Sequence, residues 1–511
     1  MQRASELIPE KTIAGDAKLA VFRADGGTRI GGGHIIRCLS LAQVLSDSGF
    51  SCAFGVSQET VSAVPALSRS CFAWSEMTCL PDQEPSELRR IWPNGCDLLV
   101  VDHYGKDAQF ESSCRGWASR ILVIDDLADR KHDCDYMLDA SPGASESDYL
   151  ELVPGECRVL IGPNYALLRP EFARYRRVVA SRKRRFVGIE RFFACFGTLD
   201  GRHLLPDTVD VVCGLNDGFE VEVAVGSAAP HISEILDIAA RHGKRVRVNV
   251  EASNMAELMS RADLGIGAAG GAALERCCVG LPSIIITTAA NQLRNAKALE
   301  AAGAVARLSP KEPGTFRHKL RDLVRHLIKE PQRLREMAEN AKKVCDGQGT
   351  LRLILELIGP VITSKGKKIR LRLAHASDSK IIYEWQSHSE TRKYFRNPAI
   401  PSWKEHIHWM EDVLSDPDRI LFVIEASGQP AAMLRLDREG GGSEPSFEVS
   451  ILVAPELQGL GIAKAALRSA MAIFPKHVFH AEVFRNNAAS LALFRSVGFK
   501  RITEKEFIFR E

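Results

Sequence analysis

Short apolar runs alternate with helical stretches through the first part of the chain, and the alternation then restarts. Lys18–Asp25 (KLAVFRAD), Asp97–Tyr104 (DLLVVDHY) and Arg120–Leu127 (RILVIDDL) have Val- and Ile-rich cores too short for helices, so each is predicted to be a strand. Strands that alternate with helical patterns predict a parallel sheet covered by helices. A second series follows, with strands expected at Arg191–Gly197, Phe219–Gly226, Arg245–Val250 and Leu281–Thr287 and a helix at Ile232–His242. From Gly314 to Ile358 the pattern turns helical and charged. The fold class expected is α/β: two Rossmann-like domains, at 18–175 and 187–358, facing each other across a cleft. Between them the basic run Arg174–Arg185 (RYRRVVASRKRR) reads as a solvated connector, with a nucleic-acid arm as the alternative. The polar stretch 359–368 reads as a linker to a third domain at 369–511. Residues 1–17 lack the apolar core of a secretory signal and read as a disordered leader.

Composition narrows the function classes. Hydrophobic residues are 45% and charged residues 26% of the 511, with a formal net charge of +3. That near balance gives no reason to expect nucleic acid or a membrane surface as partner, and no apolar run approaches the ~20 residues of a membrane span. The 13 cysteines form no Cys-x-x-Cys pair, and most lie in apolar patterns. Buried thiols in a reducing, cytoplasmic setting explain them better than disulfides or a zinc site.

Candidate chemistry sits in three glycine-containing loops. The first strand ends at Asp25 and runs into Gly26–Gly33 and His34, where a helical pattern begins. Glycines between strand and helix bring backbone close to a ligand, and free N–H groups at the helix start favour an anion such as phosphate. An imidazole there is suited to taking a proton from an attacking water. The alternative is a tight turn followed by an ordinary helix-start residue. The second loop, Gly267–Glu275 (GAAGGAALE), places Gly270 and Gly271 at another helix entry. Glu275, a turn further on, is placed to accept hydrogen bonds from ribose hydroxyls. A close-packing turn is the alternative reading. In the third, strand Phe447–Val453 leads into Ala454–Ala463 and a helix.

Several motifs carry a resemblance. Arg23-x-Asp25, Ile30-Gly31-Gly32-Gly33-His34-x-x-Arg37, Leu41-Ala42, Val101-Asp102-His103-Tyr104, Asp125-Asp126 and Leu160–Pro170 (LIGPNYALLRP) together resemble the UDP-sugar hydrolases of pseudaminic acid biosynthesis. The likeness covers Lys18–Leu308. It implies a GT-B arrangement and metal-free hydrolysis of UDP-2,4-diacetamido-2,4,6-trideoxy-β-L-altropyranose. It also implies that His34 acts as general base and that Arg23, Asp25, Gly33 and Tyr104 meet the substrate. Gly270, Gly271 and Glu275 would hold UDP, and Asn291 and Gln292 the sugar side. Ala272-Ala273-Leu274 and Phe196–Asp200 depart from the family pattern.

The C-terminal motifs Gln458-x-x-Gly461-x-Ala463 and Asn487-x-x-Ser490-x-x-Leu493-Phe494-x-x-x-Gly498-Phe499 resemble the GNAT N-acetyltransferases. That implies an α+β domain using acetyl-CoA, gripped by Val453, Gln458, Gly459, Gly461, Ala463 and Asn487. Glu448 is either the base for the amine or a solvent-facing strand residue. Phe494 stands where the family carries its tyrosine acid, so no acid is assigned. Tyr383–Gln386, Arg392-Lys393 and Glu405–Trp409 resemble amino-sugar acetyltransferases, although Trp385 and Trp409 equally suit a core. His406 and His408 lack companion ligands, and no metal is expected. The combined expectation is a bifunctional enzyme that acetylates a UDP-linked 4-amino sugar and then releases UDP. A GT-B glycosyltransferase, or a non-catalytic nucleotide-sugar module, fused to an acetyltransferase are the alternatives.

Overall fold

A computed structural model describes residues 18–27, 30–181, 188–198, 200–215, 218–309, 315–440 and 444–510. The expected leader (1–17), Thr28 and Arg29 of the first loop, the end of the basic run beyond 181, and Leu199 lie outside the described residues. The chain divides into two compact units, one reaching Thr350 and the other Leu351–Glu511, the turn Ser46–Gly49 excepted. Among the described residues no helix is long and apolar enough to cross a membrane.

The first unit contains two parallel sheets. Strands β1 (Leu19–Ala24), β2 (Ser51–Val56), β3 (Ala73–Glu76), β4 (Leu98–Asp102), β5 (Ile121–Ile124), β6 (Tyr136–Asp139) and β7 (Arg158–Ile161) lie in the order 3-2-1-4-5-6-7. Strands β8 (Arg191–Cys195), β9 (Glu220–Val225), β10 (Val246–Val250), β11 (Leu264–Ala268), β12 (Ser283–Ile286) and β13 (Val305–Leu308) repeat it as 10-9-8-11-12-13. The central strands β4 and β11 are buried at every position, as strands covered on both faces must be. In each sheet the order reverses beside the first strand. Chains leave β1 and β4, and β8 and β11, in opposite directions, which opens a crevice at the strands' carboxyl ends.

The basic run differs from expectation. Helix Pro170–Ser181 carries it to Ser181, and Phe172 joins a cluster with Ala166, Leu168, Phe193 and Cys278. Arg176 donates from Nη1 to the carbonyls of Cys278, Lys342 and Cys345 at 2.9–3.2 Å. Through Phe172 and Arg176 this segment is tied to the second sheet's helices by apolar burial and carbonyl capping, while Arg174 and Arg177 stay exposed to solvent. The Leu160–Pro170 motif is thereby also a packing element.

The second unit is an eight-stranded sheet of β14 (Val361–Ile362), β15 (Lys368–Leu373), β16 (Arg419–Ala426), β17 (Gln429–Glu439), β18 (Ser446–Val453), β19 (Val478–Glu482), β20 (Lys500–Arg501) and β21 (Glu506–Phe509). The stretch expected as a linker, 359–368, contains β14, which pairs with β15 across a turn in which Gly366 takes φ +75°. The pairing is antiparallel except between β18 and β19, which run parallel and are joined only from Ser446 to Glu448. Beyond Glu448 the two strands part, while β18 continues along β17 to Val453.

Candidate active site

Helix α1 (Gly33–Asp47) follows β1. It buries Ile35, Cys38, Leu41, Ala42 and Leu45 on one face, the 3.6-residue spacing that fixes its roll against the sheet. That roll also turns His34 inward at the first turn. The preceding loop is closed by a two-bond bridge between Gly27 and Gly31, and Gly31 takes φ +75°, a conformation other residues adopt only with strain. A Cβ on Gly32 would lie 2.7 Å from Thr198 Oγ1 after β8, whereas one on Gly33 would meet nothing. The loop therefore touches the second sheet's domain at Gly32 and opens onto space at Gly33.

That space is a cleft of about 800 Å³ between the two sheets' carboxyl ends. Its lining includes Gly33, His34, Tyr104, Gly270, Gly271, Glu275, Asn291 and Gln292, all expected from sequence. Helix α2 (Gly271–Cys278), with Gly270 as its N-cap, enters from the second sheet. Two helix starts thus face one cavity, each with N–H groups that have no partner inside the helix. Their partial positive charge suits a diphosphate.

The His34 ring lies with Nδ1 2.5 Å from Asp102 Oδ1. Asp102 ends β4, is fully buried, and accepts two further bonds from Arg37, at 2.6 Å each. Burial alone would raise this carboxyl, but the Arg37 charge, the adjoining imidazole and their hydrogen bonds outweigh it and hold it well below the usual range. An ionised Asp102 accepts from Nδ1–H and leaves Nε2 as the basic nitrogen toward the cleft. Tyr104 stands edge-on to the ring, centroids 4.7 Å apart, and its hydroxyl accepts from Asn291 Nδ2 at 3.0 Å. Burial, with Asp126 nearby, pushes that phenol up, so it stays neutral. Gln292 Oε1 accepts from the backbone N–H and the hydroxyl of Thr288. Burial raises the Glu275 carboxyl, an effect partly offset by Arg169 and Arg276.

Two residues expected at the substrate do not line the cleft. Arg23 is almost fully buried and forked between Glu84 (2.6 Å) and Asp25 (2.9 Å), and Lys106 closes the network on Glu84. Asp25 also pairs with His103 Nε2 at 3.2 Å and accepts from the Ser57 N–H at 2.6 Å. Burial opposes its ionisation, but His103 and Arg23 hold it well below its ordinary value. Each charge is matched within this network, and neither side chain lines the cleft. Both are scaffolding for the loop that carries His34.

In the second unit, Gly459 and Gly461 take φ +78° and +77° on either side of Leu460. Gly461 caps helix α3 (Ile462–Ile473) in the left-handed conformation, and α3 contains Ala463. Ala454 N donates to Ala431 O, toward β17. Successive residues of a strand alternate sides, so the N–H and carbonyl of Val453 face the edge that β19 has left. Asn487 caps helix α4 (Ala488–Ser496), accepting from Ser490 N at 3.0 Å. Phe494 is buried against Phe499 and Trp385 lies in the core. Glu448 is bonded to Arg396, which also reaches Glu482 at 2.6 Å. Both carboxylates stand where β18 and β19 part.

Residues 380–499 match the acetyltransferase (GNAT) family, and residues 234–350 match the glycosyltransferase family 28 C-terminal domain. The chain joins a GT-B sugar-nucleotide module to a GNAT acetyltransferase domain. The sugar-nucleotide module is similar to the UDP-2,4-diacetamido-2,4,6-trideoxy-beta-L-altropyranose hydrolase of Campylobacter jejuni, 29% identical over 246 residues, covering 48% of this chain and 82% of that protein. It is also similar to the spore coat polysaccharide biosynthesis protein SpsG of Bacillus subtilis, 24% identical over 65% of this chain and 95% of that one. An uncharacterized protein of Methanocaldococcus jannaschii is 22% identical across 96% of this chain and 99% of its own, so the likeness extends over module and GNAT domain together.

Three charged groups that ion pairs link to His34 in the structure were not singled out from sequence. Asp102, Arg37 and Asp126 lie in quoted motifs but were given no role. A signal for Asp102 existed: a carboxylate closing an otherwise apolar strand next to β1. For Arg37 it was the three-residue step from His34, which places both on one helix face. In the GNAT domain nothing local to Glu448 pointed to Arg396.

Proposed function

We propose that the GT-B module hydrolyses a UDP-linked diacetamido-trideoxy hexose of the altropyranose type to free sugar and UDP, in pseudaminic acid biosynthesis. The GNAT domain first acetylates the 4-amino precursor with acetyl-CoA, and the module then releases UDP from the product. The observation that carries the reading is the His34 ring, oriented by buried Asp102 at the floor of a cleft faced by two helix starts. Similarity to the Campylobacter hydrolase supports the substrate class.

In this reading His34 Nε2 takes a proton from a water whose oxygen attacks the anomeric carbon. The bond from that carbon to the diphosphate oxygen breaks, and UDP leaves with its electron pair. Backbone N–H groups of Gly33–His34 and Gly271–Ala272 stabilise the departing charge, and Glu275 accepts from the ribose. Tyr104, held by Asn291, positions sugar or water. In the GNAT domain the amine nitrogen attacks the thioester carbon, the C–S bond breaks, and CoA leaves as the thiolate, which takes its proton from water. Gln458–Ala463 grips the pyrophosphate, Val453 and Asn487 steady the pantetheine arm, and Glu448 takes the amine proton once Arg396 has moved aside.

Incubating the full chain with UDP-diacetamido sugars and no acceptor, followed by mass spectrometry, tests the first half. Free sugar and UDP should appear together, and His34→Ala should lower the rate by about 10²–10⁴-fold. The match of residues 234–350 to a glycosyltransferase family supports a second reading, transfer to an acceptor. UDP release that occurs only with an acceptor would select it.

A further inference from the structure

Outside the cleft, one cluster of side chains among the described residues has the chemistry of a metal site. His203, His231 and Glu234 bring their ligand atoms within 4.8 Å of one another. His203 Nε2 lies 2.6 Å from Glu234 Oε2, and the two imidazole rings overlap with centroids 3.8 Å apart. We infer that this trio binds a divalent transition-metal ion of the zinc class, tying the loop after β8 to the helix Ile232–His242.

The donor set argues for that ion class. Two imidazoles and one carboxylate suit zinc and its neighbours, whereas calcium and magnesium take all-oxygen sets. Four-coordinate zinc, with bonds near 2.0–2.2 Å, places its ligand atoms roughly 3.3–3.5 Å apart. Side chains already inside 4.8 Å reach that spacing by small rotamer changes. His231 and Glu234 stand three residues apart at the helix start, so they share one face.

The loop is built to present His203. Asp200 and His203 both take positive φ, +43° and +54°, which costs a residue with a Cβ. The Asp200 carboxylate holds the turn by accepting from the N–H groups of Leu204 and Leu205. The residues between, Gly201 and Arg202, line the cleft, so an ion at His203 would brace one cleft wall from behind. The ligands come from two segments, the loop that carries His203 and the helix start that carries His231 and Glu234, which is why sequence spacing pointed to no metal.

The test uses the full chain stripped of metal by chelation, then titrated with Zn²⁺ and, separately, Co²⁺. The expected result is one equivalent of Zn²⁺ bound with an unfolding temperature that rises with its concentration. Co²⁺ should give the visible bands of a nitrogen–oxygen site without the near-ultraviolet thiolate band that the cysteines would produce. Both signals should vanish in His203→Ala and in His231→Gln, each with an unchanged circular dichroism spectrum. Failure to bind at hundreds of micromolar Zn²⁺ would overturn the inference, as would a thiolate spectrum or binding that survives in the folded His231→Gln protein.

Discussion

At the scale of single residues, Asp102 decides what His34 is able to do. A carboxylate accepts from Nδ1–H and fixes the tautomer, so Nε2 is the nitrogen free to accept a proton. Asp102→Asn keeps the shape but offers an amide, whose N–H₂ face would compete for the wrong tautomer and leave Arg37 with only Asp126, at 3.5 Å, as an ionic partner. We expect UDP release by that variant to fall about 10²–10⁴-fold, mostly in kcat, because positioning is lost and substrate contacts are not. The same carboxylate gives a pH signature. Its folded pKa lies below the free-aspartate value of 3.8, so its stabilising contribution is fully present above about pH 4 and is lost as pH falls further. The stability gap between wild type and Asp102→Asn, read from urea midpoints, should therefore narrow on acidification from pH 6 to pH 3.

At the scale of elements, both units use one device, a glycine turn that leads into a helix start. The turn before α1 relies on the left-handed Gly31 and on the close approach of Gly32 to Thr198. The turn before α3 relies on left-handed Gly459 and Gly461. A Cβ on Gly461 would lie 3.1 Å from Ser364 Oγ, and a β-branched residue resists this backbone conformation. Gly461→Val should cost about 1–3 kcal/mol of stability and weaken CoA binding by at least about tenfold, since each lost backbone contact is worth roughly 1.4 kcal/mol or more. Calorimetric titration with CoA and a thermal melt would measure both. Glu448 belongs to this scale as well. Arg396 bridges it to Glu482 where β18 and β19 separate, so Arg396→Ala should change the acetylation rate without changing CoA affinity.

At the scale of the whole molecule, the two proposed chemistries fall in two compact units. Among the described residues, none that lines the cleft belongs to the unit that holds the Gln458–Ala463 loop. His34→Ala should therefore leave acetyl-CoA-dependent labelling of an amino sugar at the wild-type rate, and Gly461→Val should leave UDP release unchanged. Loss of both activities in either folded variant, measured on one protein preparation, would contradict that independence.

Local pattern was enough for much of this. Strand cores follow from short Val- and Ile-rich runs, and the helix starts that line the cleft follow from glycines placed between a strand and a 3.6-period helix. His34, Gly270, Glu275 and Gly461 were legible for that reason, since their positions depend on neighbours in the chain. The rest depended on partners far along it. Asp102 reaches His34 across 68 residues because the strand order puts β4 beside β1. Asn291 meets Tyr104 across 187 residues. The same strand order turned Arg23 and Asp25 into a buried ion network with Glu84, and the parting of β18 from β19 left Glu448 to Arg396. A motif records which side chains are available. Which of them share a cavity is settled only when sheets and helices pack, because buried charges must then find opposite charges at hydrogen-bonding distance.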